Sequence, residues 1–500
     1  MLEIEIPSPR QIEAVKEYIK KTWKTLTRSL DNIVESARDP KIEHLPGQPW
    51  LIYISPQEDA TKIKQSLPAQ DWSQIEFRVL PAEVQQIQEH GLLYLPHSYV
   101  VPGGRFNEMF GWDSYFILLG LLRDGEIELA KSMIEQFIYE IEHYGTILNA
   151  NRTYFLSRSQ PPFLTPMVLA LFEYVQDKEL LREILPTLER YYYYWLVPPH
   201  LNLTTGLSRY YALGEGPASE VLMSERDEQH RTHYERVKEY YRQFEVTDYD
   251  ISLYYDREND ELTDLFYKGD RSMRESGFDI TNRFGPFSID IIHYVPVCLN
   301  VLLYKMEQDL SQIHDILEDE ATAQQWKEKA KERHERIDQF LWDEETGLYL
   351  DYNFQTRDRR RYEYATVFYP LWAGIASQEQ AKRVVENLEL FEAPGGLLTS
   401  PYVTGNQWDA PLGWAPLTLI AVQGMHRYGY TEEAYRIARK FISLLVQEFE
   451  KYGTLLEKYD VVNCSSQVSD EILFGYSSNE SGFGWTNAAF LELLVILEMS

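Results

Sequence analysis

The sequence predicts a large all-α domain with a small α/β element at its N-terminal end. Three observations point there. From about residue 100 onward, apolar residues recur at spacings of three and four in segment after segment, as in amphipathic helices. The loops between these segments are rich in Gly, Trp, Asp and Asn, which suits paired helices joined by structured turns. Only residues 31–100 follow another pattern, with short β-branched and aromatic runs around a helical stretch. No coiled-coil heptad and no repeat of strict length is present.

In chain order, residues 9–30 read as a helix with Ile12, Val15, Ile19, Trp23 and Leu26 on one face. Residues 51–54 and 75–80 read as strands, with helices at 57–66 and 82–90. The N-terminal helix and this α/β appendage are therefore expected over 1–95, and the helical body over 96–500. In the body, Ala130, Met133, Ile134, Phe137, Ile138 and Ile141 share a face, and Gly145 follows as a C-terminal stop. Gly429 ends a later helix, and Thr431 is expected to cap the next, with Glu432 and Glu433 in its first turn. Further helices are expected near 162–176, 180–196, 289–308, 320–341, 362–376, 412–427 and 484–498, with a short strand at 347–350. Residues 215–275 interrupt the pattern with many charges and tyrosines. They read either as a solvated helical hairpin or as a lid over a site.

Composition narrows the function. Acidic residues number 78 against 48 basic ones, a net charge of −30, which argues against nucleic acid or an anionic membrane as partner. Aromatic residues make up 14 %, 36 of them tyrosines, which suits a carbohydrate cleft as well as a large core. The two cysteines, Cys298 and Cys464, cannot form a disulfide framework. The first ten residues are polar and no apolar run approaches the ~20 residues that span a bilayer, so a cytoplasmic location is expected. The 11 histidines include no ligand-like pair beside a further ligand; His230 and His233 are expected to face solvent. Gly103-Gly104 lacks the lysine of a phosphate loop. Neither a metal nor a cofactor is expected.

One stretch concentrates the residue types a sugar site needs: Pro102-Gly103-Gly104-Arg105-Phe106-Asn107-Glu108-Met109-Phe110-Gly111-Trp112-Asp113-Ser114-Tyr115-Phe116. Arg105 offers a fork of donors to hydroxyls, Phe106 and Trp112 offer flat apolar faces, and Glu108 and Asp113 accept hydrogen bonds. The same residues also fit a Pro-Gly turn entering a helix, with Asp113 as its cap. Two further carboxylates sit in notable contexts. Asp279 follows Glu275-Ser276-Gly277-Phe278, and Glu457 lies in Leu455-Leu456-Glu457-Lys458-Tyr459-Asp460. From the residues alone, Asp279 could equally be a helix cap and Glu457 the partner of Lys458 in a surface ion pair.

The 102–116 stretch resembles the first signature of the trehalase family of glycoside hydrolases. Gln407-Trp408-Asp409-Ala410-Pro411-Leu412-Gly413-Trp414 resembles its second, in the right order and about 300 residues on. The resemblance covers about residues 95–500 and implies an (α/α)6 barrel. It implies that Asp279 is the general acid and Glu457 the general base of an inverting hydrolysis, in which the second carboxylate activates a water. In the segment Asn149-Ala150-Asn151-Arg152-Thr153-Tyr154-Phe155-Leu156-Ser157-Arg158-Ser159-Gln160 it implies that Asn149 and Arg158 bind the glucose being cleaved. Arg105, Phe106, Trp112, Asp113, Gln407 and Trp408 are implied around the same glucose, and Phe483-Gly484-Trp485 closes the barrel.

Two departures fall on the parts of the family site that hold the leaving sugar. The usual Arg-Pro-Glu-Ser is replaced by Gly216-Pro217-Ala218-Ser219-Glu220, which has no arginine, and the glycine run ending in Glu-Tyr is replaced by residues 465–476. A pocket rewritten there should favour a different leaving group, because buried polar groups left unpaired cost ~1–3 kcal/mol each. The expected substrate is accordingly a small α-glucoside, with 2-O-α-glucosylglycerol ahead of trehalose and glucosylglycerate third. A sugar sensor on the same barrel, binding without turnover, is the alternative of another class.

Overall fold

The computed structural model describes residues 7–498, apart from 43, 68–71, 225, 228, 469–471 and 477. Among the described residues, six helices close a ring in which each packs on the next: Asp113–Arg123, Leu164–Val175, Val297–Ile316, Tyr369–Ala373, Ala415–Arg427 and Gly484–Ile496, the last returning to the first. These inner helices are apolar on nearly every side, as burial on all faces requires; from Gly484 to Leu494 every residue of the last one is buried. The outer helices are one-sided. Glu320–Phe340 buries Ala323, Trp326, Ala330, Arg333 and Ile337, a stripe at spacings of three and four. The chain is an (α/α)6 barrel.

Close packing at the ring's seam depends on Gly120. A Cβ there would stand 2.8 Å from that of Ala488 and 2.9 Å from the Trp23 ring. Trp23 comes from the first helix, Pro9–Leu26, which packs on Thr431–Tyr452 and Gly484–Ile496. This helix therefore belongs with the barrel's outer layer rather than with the appendage with which it was expected. The appendage itself is a three-stranded parallel sheet, with Trp50–Ile54 between Ile75–Val79 and Leu92–Leu93, and the helix Ala60–Ser66.

Several expected elements shift. The helix expected over 82–90 is a single 3-10 turn, Val84–Gln86, because Val84 is left exposed with no face to bury. The helix expected from 289 begins at Val297, after Pro296, and Pro286–His293 is 3-10. Residues 362–376 hold only a short helix, Tyr369–Ala373, entered through a 3-10 turn. Thr431 is the first helical residue rather than the cap.

The 215–275 segment divides. Helix Asp264–Glu275 is buried along most of its length, including Lys268, Asp270, Arg271, Arg274 and Glu275, so it is not a solvated hairpin. Those charges meet one another and nearby carbonyls: Arg274 pairs with Asp270 at 3.2 Å, and Arg271 donates to the Gly216 and Pro217 carbonyls. Helix His233–Gln243 begins with a fully buried His233, 3.9 Å from Asp270, which corrects the expectation that it faces solvent; His230 is exposed.

Candidate active site

The N-terminal ends of the inner helices converge on one cavity. Trp112 and Asp113 open one helix, Trp408 and Gln407 precede another, and Phe483 and Trp485 open the last. The cavity opens to solvent and, with its mouth included, spans about 760 Å³. Asp279, Glu457, Arg105, Phe106, Trp112, Asp113, Asn149, Arg158, Gln407 and Trp408 all line it, as expected; of the residues expected to meet sugar hydroxyls, Glu108 does not.

Its floor is aromatic. The Trp408 and Trp414 rings stack at 3.8 Å between centroids, and Trp112, Phe278 and Trp485 pack edge-on or tilted around them. Flat faces of this kind suit the C–H surface of a pyranose. A second wall runs from Phe155 through Phe110 and Phe106 to Tyr476 and Phe483.

The backbone is fixed by short local devices. Gly277, at φ +78°, turns the chain directly above Trp112, where a Cβ would come within 3.0 Å of the indole. That turn delivers Asp279, which precedes a cis peptide to Ile280. The Ile280 carbonyl accepts from Trp408 N at 3.0 Å, joining the two signature loops. Asp409 is fully buried and accepts from Thr281 Oγ1, Asn282 N, Ser400 Oγ, Thr404 Oγ1 and Tyr362 OH, so it knits the loop after Asp279 to the 400–404 loop. Asn149 and Arg158 are held opposite each other by Asn149 N donating to the Arg158 carbonyl at 2.8 Å.

The two candidate catalytic carboxylates sit in different surroundings. The Asp279 side chain is 36 % exposed and lies 3.8 Å from Arg274 Nη1. Arg274 also pairs with the buried Asp270, so its charge is shared rather than spent on Asp279 alone. Glu457 is 2 % exposed. Its Oε1 accepts from the Tyr476 hydroxyl, and Oε2 has no hydrogen-bond partner among the described residues, with Lys458 Nζ 3.6 Å away. Burial pushes the Glu457 carboxyl up, while Lys458, Tyr476 and Arg105 pull it down. The surface ion pair considered for Glu457 and Lys458 is thus a buried one. Asp113 is pushed well above the usual carboxylate range by burial, reinforced by the charges of Glu457 and Asp279.

Sequence reasoning missed several lining residues: Lys41, Phe110, Phe155, Gln160, Glu220, Arg274, Tyr476 and Trp485. Gln160 accepts from Trp112 N at 2.8 Å, and Glu220 receives Arg158 Nη2 at 2.6 Å. Glu220 and Tyr476 lie in the two departing segments, and their place at the ends of those segments is the sequence signal that marks them. Lys41 comes from beyond the barrel. It joins Glu108 at 2.7 Å in a buried cluster with Asp39 and Arg152, and nothing in its surrounding sequence marks it. Glu108, expected to face hydroxyls, is engaged in that cluster and does not line the cavity.

A second cavity adjoins the first and shares Arg105 and Tyr476 with it. It lies between helix His233–Gln243 and residues 472–476 with Ser478, and Arg236 Nη1 donates to the Leu473 carbonyl. Of the departing segment 465–476, residues 469–471 lie outside the described residues.

Comparison with known proteins places this architecture. The trehalase family model matches residues 48–498. The cytosolic neutral trehalase of Kluyveromyces lactis is 36 % identical over 94 % of this chain and 69 % of its own length. That of Saccharomyces cerevisiae is 35 % identical with the same shares of 94 % and 69 %. The solved neutral trehalase Nth1 from Saccharomyces cerevisiae superposes with a TM-score of 0.79 at 33 % identity, covering 97 % of this chain and 94 % of that one. A GH63 mannosylglycerate hydrolase from Thermus thermophilus shares the fold at a TM-score of 0.53 and 19 % identity, covering 79 % of this chain and 95 % of that one. Among the described residues no helix is long and apolar enough to cross a membrane. The chain belongs to the trehalase family of glycoside hydrolases, enzymes that hydrolyse an α-glucoside.

Proposed function

We propose that the protein hydrolyses α,α-trehalose to two molecules of glucose, with inversion at the carbon attacked. The observation that carries the substrate is the likeness to neutral trehalases over 94 % of the chain. The site agrees with it. The preference for 2-O-α-glucosylglycerol rested on a missing arginine and a missing carboxylate at the leaving sugar. In space the wall near the replaced segments carries both, as Arg274 from helix Asp264–Glu275 and Glu220. A second glucose therefore has, beside the Glu220 carboxylate of the replaced segment, an arginine that this segment lacks.

In this mechanism Glu457 Oε2 takes a proton from a water as that water's oxygen attacks the anomeric carbon. The bond from that carbon to the glycosidic oxygen breaks, and Asp279 passes its proton to the departing oxygen. Asn149, Arg158 and Asp113 hold hydroxyls of the reacting glucose, and Trp112 and Trp408 lie beneath its ring. Charge built up on the sugar is stabilised by the ionised Glu457 beside it. The helix His233–Gln243 and the 472–476 strip line the adjoining cavity.

The substrate test is direct. Trehalose, 2-O-α-glucosylglycerol and glucosylglycerate are compared by kcat/KM with the purified enzyme. Trehalose is expected to lead by at least about a hundredfold, because a site built to pair a second glucose leaves its polar groups unpaired with a smaller alcohol. A higher kcat/KM for glucosylglycerol would overturn the trehalose assignment.

A further inference from the structure

Lys458 follows the candidate base directly, yet its side chain turns inward and is fully buried. The strand Lys458–Asp460 pairs antiparallel with Leu412–Trp414, and Lys458 lies opposite Trp414. This pairing brings its ammonium over the Trp414 ring at 5.4 Å and over the Tyr476 ring at 3.7 Å. Nζ donates to Gln407 Oε1 at 2.9 Å and to the Tyr476 carbonyl at 3.2 Å, and stands 3.6 Å from Glu457 Oε2. Gln407 in turn donates through Nε2 to the main-chain carbonyl of Asp279. One ammonium thus faces the carboxylate of the base and, through a single amide, grips the backbone of the acid.

An ammonium taken this far from water is costly unless it is paired. Burial lowers the tendency of Lys458 to hold its proton, and the Glu457 charge works the other way. The other groups around Glu457 are the Tyr476 hydroxyl, Arg105, Glu480 and Asp113. Tyr476 and Arg105 favour its ionised form, and Glu480 opposes it; Lys458 weighs most against the effect of burial.

We infer that Lys458 is a positioning residue for both carboxylates: its charge keeps Glu457 ionised, and its bond to Gln407 fixes the main chain at Asp279. The inference rests on the proposed roles of Glu457 as base and Asp279 as acid.

The sign follows from linkage. Removing a cation beside Glu457 makes protonation easier, so the acidic limb of kcat/KM, where the base gains its proton, moves to higher pH. K458M is expected to shift that limb upward by about one unit or more, a loss of roughly fivefold or more in ionised base at the former midpoint, approaching tenfold below it. K458R keeps the charge and is expected to leave the limb in place while lowering kcat through a misplaced Gln407. K458Q, which retains a donor without the charge, supplies the same comparison as K458M should the apolar variant not fold. An acidic limb that superimposes on wild type in K458M or K458Q would overturn the inference whatever the loss of rate, since a merely structural lysine alters rate without altering the limb. Difference infrared titration of the Glu457 carboxylate, taken against E457Q in the wild-type and K458M backgrounds, reads the same shift without turnover. It therefore stands even if trehalose proves not to be the substrate.

Discussion

Asp279→Asn is expected to lower kcat on trehalose by roughly 10²–10⁴-fold, the range that general acid–base catalysis contributes, while KM stays within about threefold. The size follows from the leaving group. A sugar alkoxide leaves poorly unless its oxygen is protonated as the bond breaks, and Asn has no proton to give. The side chain is close to isosteric and 36 % exposed, so the fold has little reason to respond. The decisive comparison uses α-glucosyl fluoride, whose leaving fluoride needs far less help from an acid. D279N should retain most of the wild-type rate on the fluoride while losing it on trehalose. Equal losses on both would assign Asp279 to substrate binding or to structure instead.

Glu457→Gln is expected to cost a similar 10²–10⁴-fold, but on the fluoride as well as on trehalose, because attack by water needs a base with either leaving group. Gln also removes a buried charge that Lys458 compensates, so unfolding by denaturant is measured in parallel to separate lost chemistry from lost fold. Azide, which attacks without giving up a proton, should restore turnover of the fluoride in E457Q and yield the β-glucosyl azide. Absence of rescue in a folded variant would mean that Glu457 is not the group that activates water.

The barrel was legible because its helices differ in kind. The stripe of Glu320–Phe340 and the all-round apolar run of Gly484–Ile496 are written in the spacing of their residues. The ring closure was not, since helix order within a ring depends on packing such as that of Gly120 on Ala488. Pro9–Leu26 shows the limit. Its buried face was evident, but whether that face met a sheet or a barrel was not.

At the site, residues within motif loops could be found because Gly, Trp and Asp crowd together there. Residues supplied from charged sequence could not. In Asp264–Glu275, alternating charge looks like a solvated surface, yet Asp270, Arg271 and Arg274 are buried because they satisfy one another and nearby carbonyls. Charge pattern alone does not separate a hydrated helix from a paired one. The same blindness produced the glucosylglycerol expectation. Residues 216–220 hold no arginine, whereas the cavity wall takes one from position 274.

The most direct test of the central claim is the stereochemistry of trehalose hydrolysis. Trehalose is cleaved in H₂¹⁸O, and proton NMR follows both anomers over the first minutes, before mutarotation mixes them. Inversion by the Asp279–Glu457 pair predicts α- and β-glucose in equal amounts, with ¹⁸O only on the anomeric oxygen of the β product. Two equivalents of α-glucose would contradict it, because retention requires a carboxylate nucleophile that forms a glycosyl-enzyme intermediate.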